Sequence, residues 1–193
     1  MRIGVLALQG DFAEHQAMLR RVGAEAGQVR LPAELDGLDG LVIPGGESTT
    51  IGKLAVTFGL IEPLRRFAAS HPVWGTCAGA IFLSRETQSK QPLLNVMDIT
   101  IQRNAFGRQV DSFEADLHVP VLTDPRRPFH AIFIRAPLIA GAGKGVEVLA
   151  RLSDGHAGQI VAARQGNLLA TAFHPELTDD DRFHRYFLSL VEG

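Results

Sequence analysis

Short, almost wholly apolar runs, each ending in a glycine-bearing loop and leading into a helical pattern, constrain this chain more than any other feature. Residues 3–8 form one such run, stopped by Gln9-Gly10, and Leu41-Val42-Ile43 forms a second, stopped by Pro44-Gly45-Gly46. A third, Pro72-Val73-Trp74-Gly75, leads into Thr76-Cys77-Ala78-Gly79. A strand that is apolar on both faces belongs inside a covered sheet, which points to parallel strands joined by crossover helices. Asp11 is a predicted N-cap for a helix through Arg21 with Phe12, Leu19 and Val22 on its apolar face. Ser48 or Thr49 is a predicted cap for a helix bearing Ile51, Leu54 and Ala55, and further helices are expected over 61–69, 80–85 and 179–191. The second half is richer in strand signals, at 99–102, 131–134, 146–152, 159–163 and 168–173. The last two flank Arg164-Gln165-Gly166-Asn167, a predicted hairpin turn. The expected fold is α/β, with a mostly parallel central sheet, helices on both faces and antiparallel additions, as one domain over 1–193.

Charge and cysteine content narrow the function classes. Lys+Arg 19 against Asp+Glu 21 gives a formal net charge of −2, without the basic excess of a general nucleic-acid binder. No run approaches the ~20 apolar residues of a membrane span, and residue 2 leads straight into a strand pattern, so no membrane association and a cytoplasmic location are expected. Cys77 is the single cysteine, which excludes an internal disulfide or a multi-cysteine metal site and leaves one thiol to explain.

Open α/β sheets place their sites beyond the carboxyl ends of the strands. Three loops in such places carry unusual chemistry: Gln9-Gly10, residues 44–50, and Gly75 to Gly79; His174-Pro175-Glu176 follows a fourth strand. Gly75-Thr76-Cys77-Ala78-Gly79 has the form of a nucleophile elbow with cysteine in the serine position, although a lone cysteine is also often a small buried hydrophobe. Pro175 biases His174 towards extended geometry, in which residues two apart point to the same side. Glu176 can then orient one nitrogen of His174 while the other faces Cys77, the logic of a triad; a solvated turn is the alternative. Pro44-Gly45-Gly46-Glu47-Ser48-Thr49-Thr50 can present backbone N–H groups to a developing oxyanion, or simply make a turn and a helix cap. It is not a phosphate loop: Gly46 and Gly52 enclose five residues and Lys53 is followed by Leu54. Gly141-Ala142-Gly143-Lys144-Gly145 lacks the strand–helix setting of a dinucleotide loop and is read as a turn.

With these residues on the page the chain resembles the class I, triad-type glutamine amidotransferases, and among them the glutaminase subunits of pyridoxal 5′-phosphate synthases. The general likeness rests on the elbow and on His174-Pro175-Glu176. The closer one rests on Leu8-Gln9-Gly10 with Glu14-His15, on residues 44–50, and on Arg103-Asn104-Ala105-Phe106-Gly107-Arg108-Gln109-Val110-Asp111-Ser112-Phe113-Glu114. Phe133-Ile134-Arg135-Ala136-Pro137 and Phe173 to Thr178 complete it, and departures fall at 84–92 and 121–130.

The resemblance implies a three-layer, flavodoxin-like fold, with Cys77 as nucleophile, His174 as general acid/base and Glu176 as its orienter. It implies L-glutamine bound by Gly46, Glu47, Ser48, Arg103, Ile134 and Arg135, and an oxyanion held by the backbone N–H groups of Gly46 and Ala78. It places Gln9 and Gly10 near a partner interface. No metal and no bound cofactor are implied. The implied partner is a (β/α)₈-barrel synthase in a dodecameric ring, which builds pyridoxal 5′-phosphate from a pentose phosphate, a triose phosphate and delivered ammonia. A glutaminase serving another acceptor, a related cysteine hydrolase, and a flavodoxin-like binding module with an inert cysteine are the competing readings.

Overall fold

In the computed structural model, which describes residues 1–103, 112–153 and 158–193, the first apolar run is β1 (Arg2–Leu6), buried from Ile3 onward. It is followed by α1 (Phe12–Arg21), β2 (Glu25–Val29), a 3-10 turn (Pro32–Leu35), β3 (Gly40–Ile43), α2 (Ser48–Thr57) and α3 (Ile61–Ala68). Then come β4 (Val73–Thr76), α4 (Ala78–Leu83), β5 (Ser84–Thr87) and β6 (Met97–Gln102). The second half contributes β7 (Ser112–Leu117), β8 (Phe129–Ile134), β9 (Leu138–Ala142), β10 (Glu147–Arg151), β11 (Ile160–Gln165) and β12 (Leu168–Thr171). A 3-10 turn (Pro175–Leu177) and α5 (Arg182–Glu192) end the chain. Residues 104–111, most of the segment that carries the closer resemblance, lie outside the described residues.

One sheet runs in the order β2-β1-β3-β4-β12-β11-β9-β6-β5, with β10 paired to β11. The strands β2, β1, β3, β4 and β12 are mutually parallel, whereas β12-β11, β11-β9 and β9-β6 are antiparallel. This is the expected α/β fold with antiparallel additions. The β11–β12 hairpin closes across Gln165↔Leu168, so Gly166-Asn167 forms the expected turn. Helices α2, α3 and α4 pack on one face around Leu41, Ile51, Leu64 and Phe82. On the other face, α1, α5 and the separate β7–β8 hairpin enclose Trp74, Phe129, Phe173, Phe183 and Phe187. Phe129, Phe173 and Phe183 meet edge-on or tilted, the favoured aromatic geometry, and each such ring contributes about 2–3 kcal/mol by burial.

Several local expectations need correction. The polar strand β2, Glu-Ala-Gly-Gln-Val, is absent from the sequence reading because an edge strand has one neighbour and only Val29 is buried. The expected helix over 80–85 instead starts at Ala78 and gives way to β5 at Ser84, whose hydroxyl bonds the carbonyl of Ile81. The last helix starts at Arg182 rather than at 179. There Asp180 accepts the Arg182 backbone N–H, and the Arg182 guanidinium bonds the carbonyls of Arg127 and Pro128.

Candidate active site

The four parallel strands β1, β3, β4 and β12 lie side by side, so the loops after their carboxyl ends meet at one place. A cleft of about 380 Å³ opens there, within the size range of small-molecule sites. Gln9, Gly10, Gly46, Glu47, Ser48, Cys77, Ala78, Arg103, Ile134, Arg135 and His174 line it. Of the residues given a catalytic, glutamine-binding, oxyanion or partner role from the sequence, all reach this cleft except Glu176, which is buried behind His174.

Cys77 sits between β4 and α4 with φ 47 and ψ −106, a strained conformation for a residue with a side chain. Such strain is the geometry of a nucleophile elbow, which lifts the side chain off the strand end. The flanking glycines are sterically required. A Cβ on Gly75 would meet the Gly79 carbonyl group at 2.5 Å, and one on Gly79 would overlap the Ile43 carbonyl. The Cys77 N–H donates to the Thr171 carbonyl at 2.8 Å, which ties the elbow to β12 and so to His174.

His174 Nδ1 lies 2.7 Å from Glu176 Oε1, as expected, but by a different route. Residues 175–177 form a 3-10 turn, with Pro175 at its first position, so the segment is not extended. Burial alone would lower the His174 pKa, but its hydrogen bonds with Cys77 and Glu176 outweigh that and raise it. Burial would raise Glu176, yet His15 first and His174 next hold its carboxyl well below the usual range. The unit is thus built for an imidazolium backed by a buried carboxylate.

A second carboxylate stands nearby. Asp11, expected as an N-cap, makes no side-chain cap; its Oδ2 lies 3.5 Å from the same His174 Nδ1. Burial and then repulsion from Glu176 raise the Asp11 pKa. Glu176, at the shorter distance, is the principal partner of the imidazole.

The true cap of α2 is Glu47, not Ser48 or Thr49. Its carboxylate accepts the N–H groups of Thr49 and Thr50 at 3.1 and 2.7 Å, because a β-region backbone at 47 swings the side chain over the helix end. These bonds outweigh burial and lower its pKa to about 2. Glu47→Ala is expected to lose about 0.5–1 kcal/mol, the low end for a cap because the side chain is half exposed, or roughly 2 °C in Tm. A depressed carboxyl stabilises the fold above its unfolded value near 4.5, and that contribution fades as pH falls towards 2. Thermal melts of the two proteins should therefore differ at pH 7 and converge below pH 4.5; equal Tm values at pH 7 would rule the cap out.

Arg103, expected among the glutamine-binding residues, pairs with Glu47 at 3.2 Å and donates to Gln91 Oε1 at 3.0 Å. Ser48, Thr49 and Ser89 hydroxyls converge on that same oxygen at 3.1–3.2 Å. Gln91 thus organises the cleft rim. Sequence reasoning missed it, since it lies in a segment without a motif and its partners are up to 43 residues away. Arg135 also lines the cleft, with φ 44. Gln9 Oε1 accepts the Glu47 N–H at 2.6 Å, and the Gly45 carbonyl accepts the Asp11 N–H at 3.1 Å, so the first two loops are laced together.

The arrangement supplies a thiol, an imidazole oriented by a carboxylate, and a polar small-molecule cleft, the parts of a hydrolase that works through a covalent intermediate. The profile of the SNO glutamine amidotransferase family matches residues 5–193. The chain is 60% identical to "Pyridoxal 5'-phosphate synthase subunit PdxT" of Herpetosiphon aurantiacus, over 98% of this chain and 100% of that protein. It is 60% identical to the protein of the same name from Pelotomaculum thermopropionicum, over 97% of this chain and 94% of that one. A solved structure titled "Crystal structure of glutamine amidotransferase" superposes with a TM-score of 0.91 at 52% identity, covering 99% of each chain. Among the described residues, no helix is long and apolar enough to cross a membrane.

Proposed function

Because this chain belongs to the SNO glutamine amidotransferase family, we propose that it hydrolyses L-glutamine to glutamate and ammonia as the glutaminase subunit of a pyridoxal 5′-phosphate synthase. The observation that carries the reading is the Cys77–His174–Glu176 unit at the floor of a cleft that also presents residues 46–48, Arg103, Ile134 and Arg135.

The Cys77 sulfur, its proton taken by His174, attacks the side-chain amide carbon of glutamine. Its C=O electrons move onto oxygen, where the N–H groups of Gly46 and Ala78 stabilise the charge. Collapse of this intermediate breaks the C–N bond, and the His174 proton leaves with nitrogen as ammonia. Water then gives a proton to His174 and its hydroxyl to the thioester carbon, releasing glutamate and restoring the thiol. Gly46, Glu47, Ser48, Arg103, Ile134 and Arg135 hold the glutamine, and no metal or bound cofactor takes part. The whole chain acts as one domain.

Ammonia in bulk water is largely ammonium and a poor nucleophile, so direct delivery to a synthase is required. The partner in this reading is a (β/α)₈-barrel synthase in a large ring assembly, contacted near Gln9 and Gly10. One peptide plane couples that contact to the chemistry. The Gly45 carbonyl takes the Asp11 N–H, and the Gly46 N–H lies on the opposite edge of the same planar unit. Rotating the plane breaks this bond and re-aims an oxyanion donor, with little steric resistance at paired glycines.

Glutamate release should accordingly be slow for the isolated chain and rise about 10²–10³-fold in kcat/KM with saturating synthase, the effect of one oxyanion donor. Equal values with and without synthase would defeat the coupling. No glutamine hydrolysis under either condition would defeat the function.

A further inference from the structure

We propose that His15 is a positioning residue for the reaction, holding the second carboxylate oxygen of Glu176 so that the first stays aimed at His174; this rests on the catalytic reading above. His15 lies on α1, fully buried, at the spacing that puts it on the same face as Leu19. Its Nε2 is 3.1 Å from Thr76 Oγ1, on the residue just before the nucleophile, and 3.1 Å from Glu176 Oε2, a close polar contact off the line of an ordinary hydrogen bond. Its Nδ1 is 3.1 Å from Nε2 of His184, which α5 buries completely. Trp74 packs edge-on against both rings, at 5.7 and 4.9 Å between centroids, and so fixes their planes.

The proton positions follow from which atoms can accept. An ionised carboxylate has no hydrogen to give, so His174 Nδ1, which donates to Oε1, and His15 Nε2, which lies against Oε2, must both carry hydrogens. His15 Nδ1 is then an acceptor. Burial holds His184 in its neutral form, and His184 Nδ1 has no hydrogen-bond partner among the described residues. A bare lone pair there costs less than a buried unpaired N–H, so the His184 proton belongs on Nε2, facing His15. The result is a line of polar contacts from His184 through His15 to Glu176.

That line of contacts has a job the bare triad leaves open. The Glu176 side chain is fully buried, and a carboxylate there with one oxygen unpaired would be costly and free to turn. Asp11 waits 3.5 Å from the same imidazole nitrogen and would draw His174 off line. Clamping Glu176 Oε2 prevents both outcomes.

The test exploits the fact that glutamine places its amide nitrogen where His Nε2 lies, whereas asparagine places its own where Nδ1 lies. Assayed with the synthase, His15→Gln should keep kcat within about threefold of wild type. His15→Asn should lose about 10–100-fold in kcat with KM for glutamine within about twofold, the range for residues that orient a catalytic group. The acid limb of kcat/KM should move to higher pH in His15→Asn, as Glu176 loses that contact. The groups facing that carboxylate are His174, Asp11 before α1, His15 on α1 and His184 on α5, with Cys77 acting through His174. Equal kcat in the Gln and Asn variants, whether both near wild type or both low, would overturn the assignment, as would a loss confined to KM. Cys77→Ala run in parallel separates the two readings: inactive, it leaves the catalytic reading standing whatever the His15 variants do, and active, it overturns both.

Discussion

Cys77→Ala is expected to lose glutamine hydrolysis by about 10⁶-fold in kcat while the chain keeps its fold, the scale seen when a nucleophile is removed from a hydrolytic triad. No other thiol exists in the chain to take over. Alanine adopts the φ 47 turn at the same backbone cost as cysteine, and its smaller side chain meets nothing new in the elbow. The Cys77 backbone N–H keeps its bond to Thr171 in either protein. Steady-state glutamate release with synthase present, together with acid-quench trapping of a labelled thioester, gives the measurement. Turnover within a hundredfold of wild type, or a thioester still trapped in the variant, would remove Cys77 from the chemistry.

His174→Asn should come close to that loss, about 10⁶-fold, and Glu176→Gln should fall short of it, about 10⁴-fold. In the proposed reaction the imidazole carries the proton from sulfur to the departing nitrogen, so nothing replaces it. Glu176 touches no reacting atom. Its carboxylate faces two ring nitrogens, a hydrogen bond from His174 and a close contact with His15, whereas an amide offers one acceptor oxygen and one NH₂ group. In Glu176→Gln one ring must therefore change tautomer or face a donor, which misdirects His174 without deleting it. Measured kcat values in the order wild type, Glu176→Gln, His174→Asn are the expected result. A His174 variant at wild-type rate would transfer the base role to another histidine.

Part of this machinery is legible in the sequence alone. The elbow is a local object: Gly75 and Gly79 are demanded by atoms a few residues away or on the adjacent strand, and the apolar run before them places it at a strand end. The same holds for His174-Pro175-Glu176, although the turn they make is 3-10 rather than extended. Gln9, Gly46, Glu47, Ser48, Arg103, Ile134 and Arg135 were named through their likeness to a family, and the cleft gathers them. Composition, periodicity and spacing alone did not single out all seven.

Sequence by itself thus determined the strand-loop-helix rhythm, the parallel half of the sheet, and the elbow and His-Pro-Glu turn that present a candidate nucleophile and base, because each is written within a few residues. Tertiary structure alone decided what stands behind them. Glu47 turned out to cap α2 because its own backbone is extended, and Asp11 faces His174 because Glu47 and Gly45 lace its loop to the next. Strand β2 carries no apolar signature, since it has one neighbour and only Val29 among its side chains is buried. By spacing alone His15 is one more residue on an amphipathic helix, and Glu14-His15 enters the sequence reading only as part of the family likeness, with no role attached. Its partners lie 61 and 169 positions away, and only the sheet order, which sets β1, β4 and β12 close together under α1 and α5, brings them within hydrogen-bond reach. Local spacing dictates where the backbone goes; which buried donor meets which acceptor is decided when distant elements pack, because an unpaired buried polar group is too costly to leave in place.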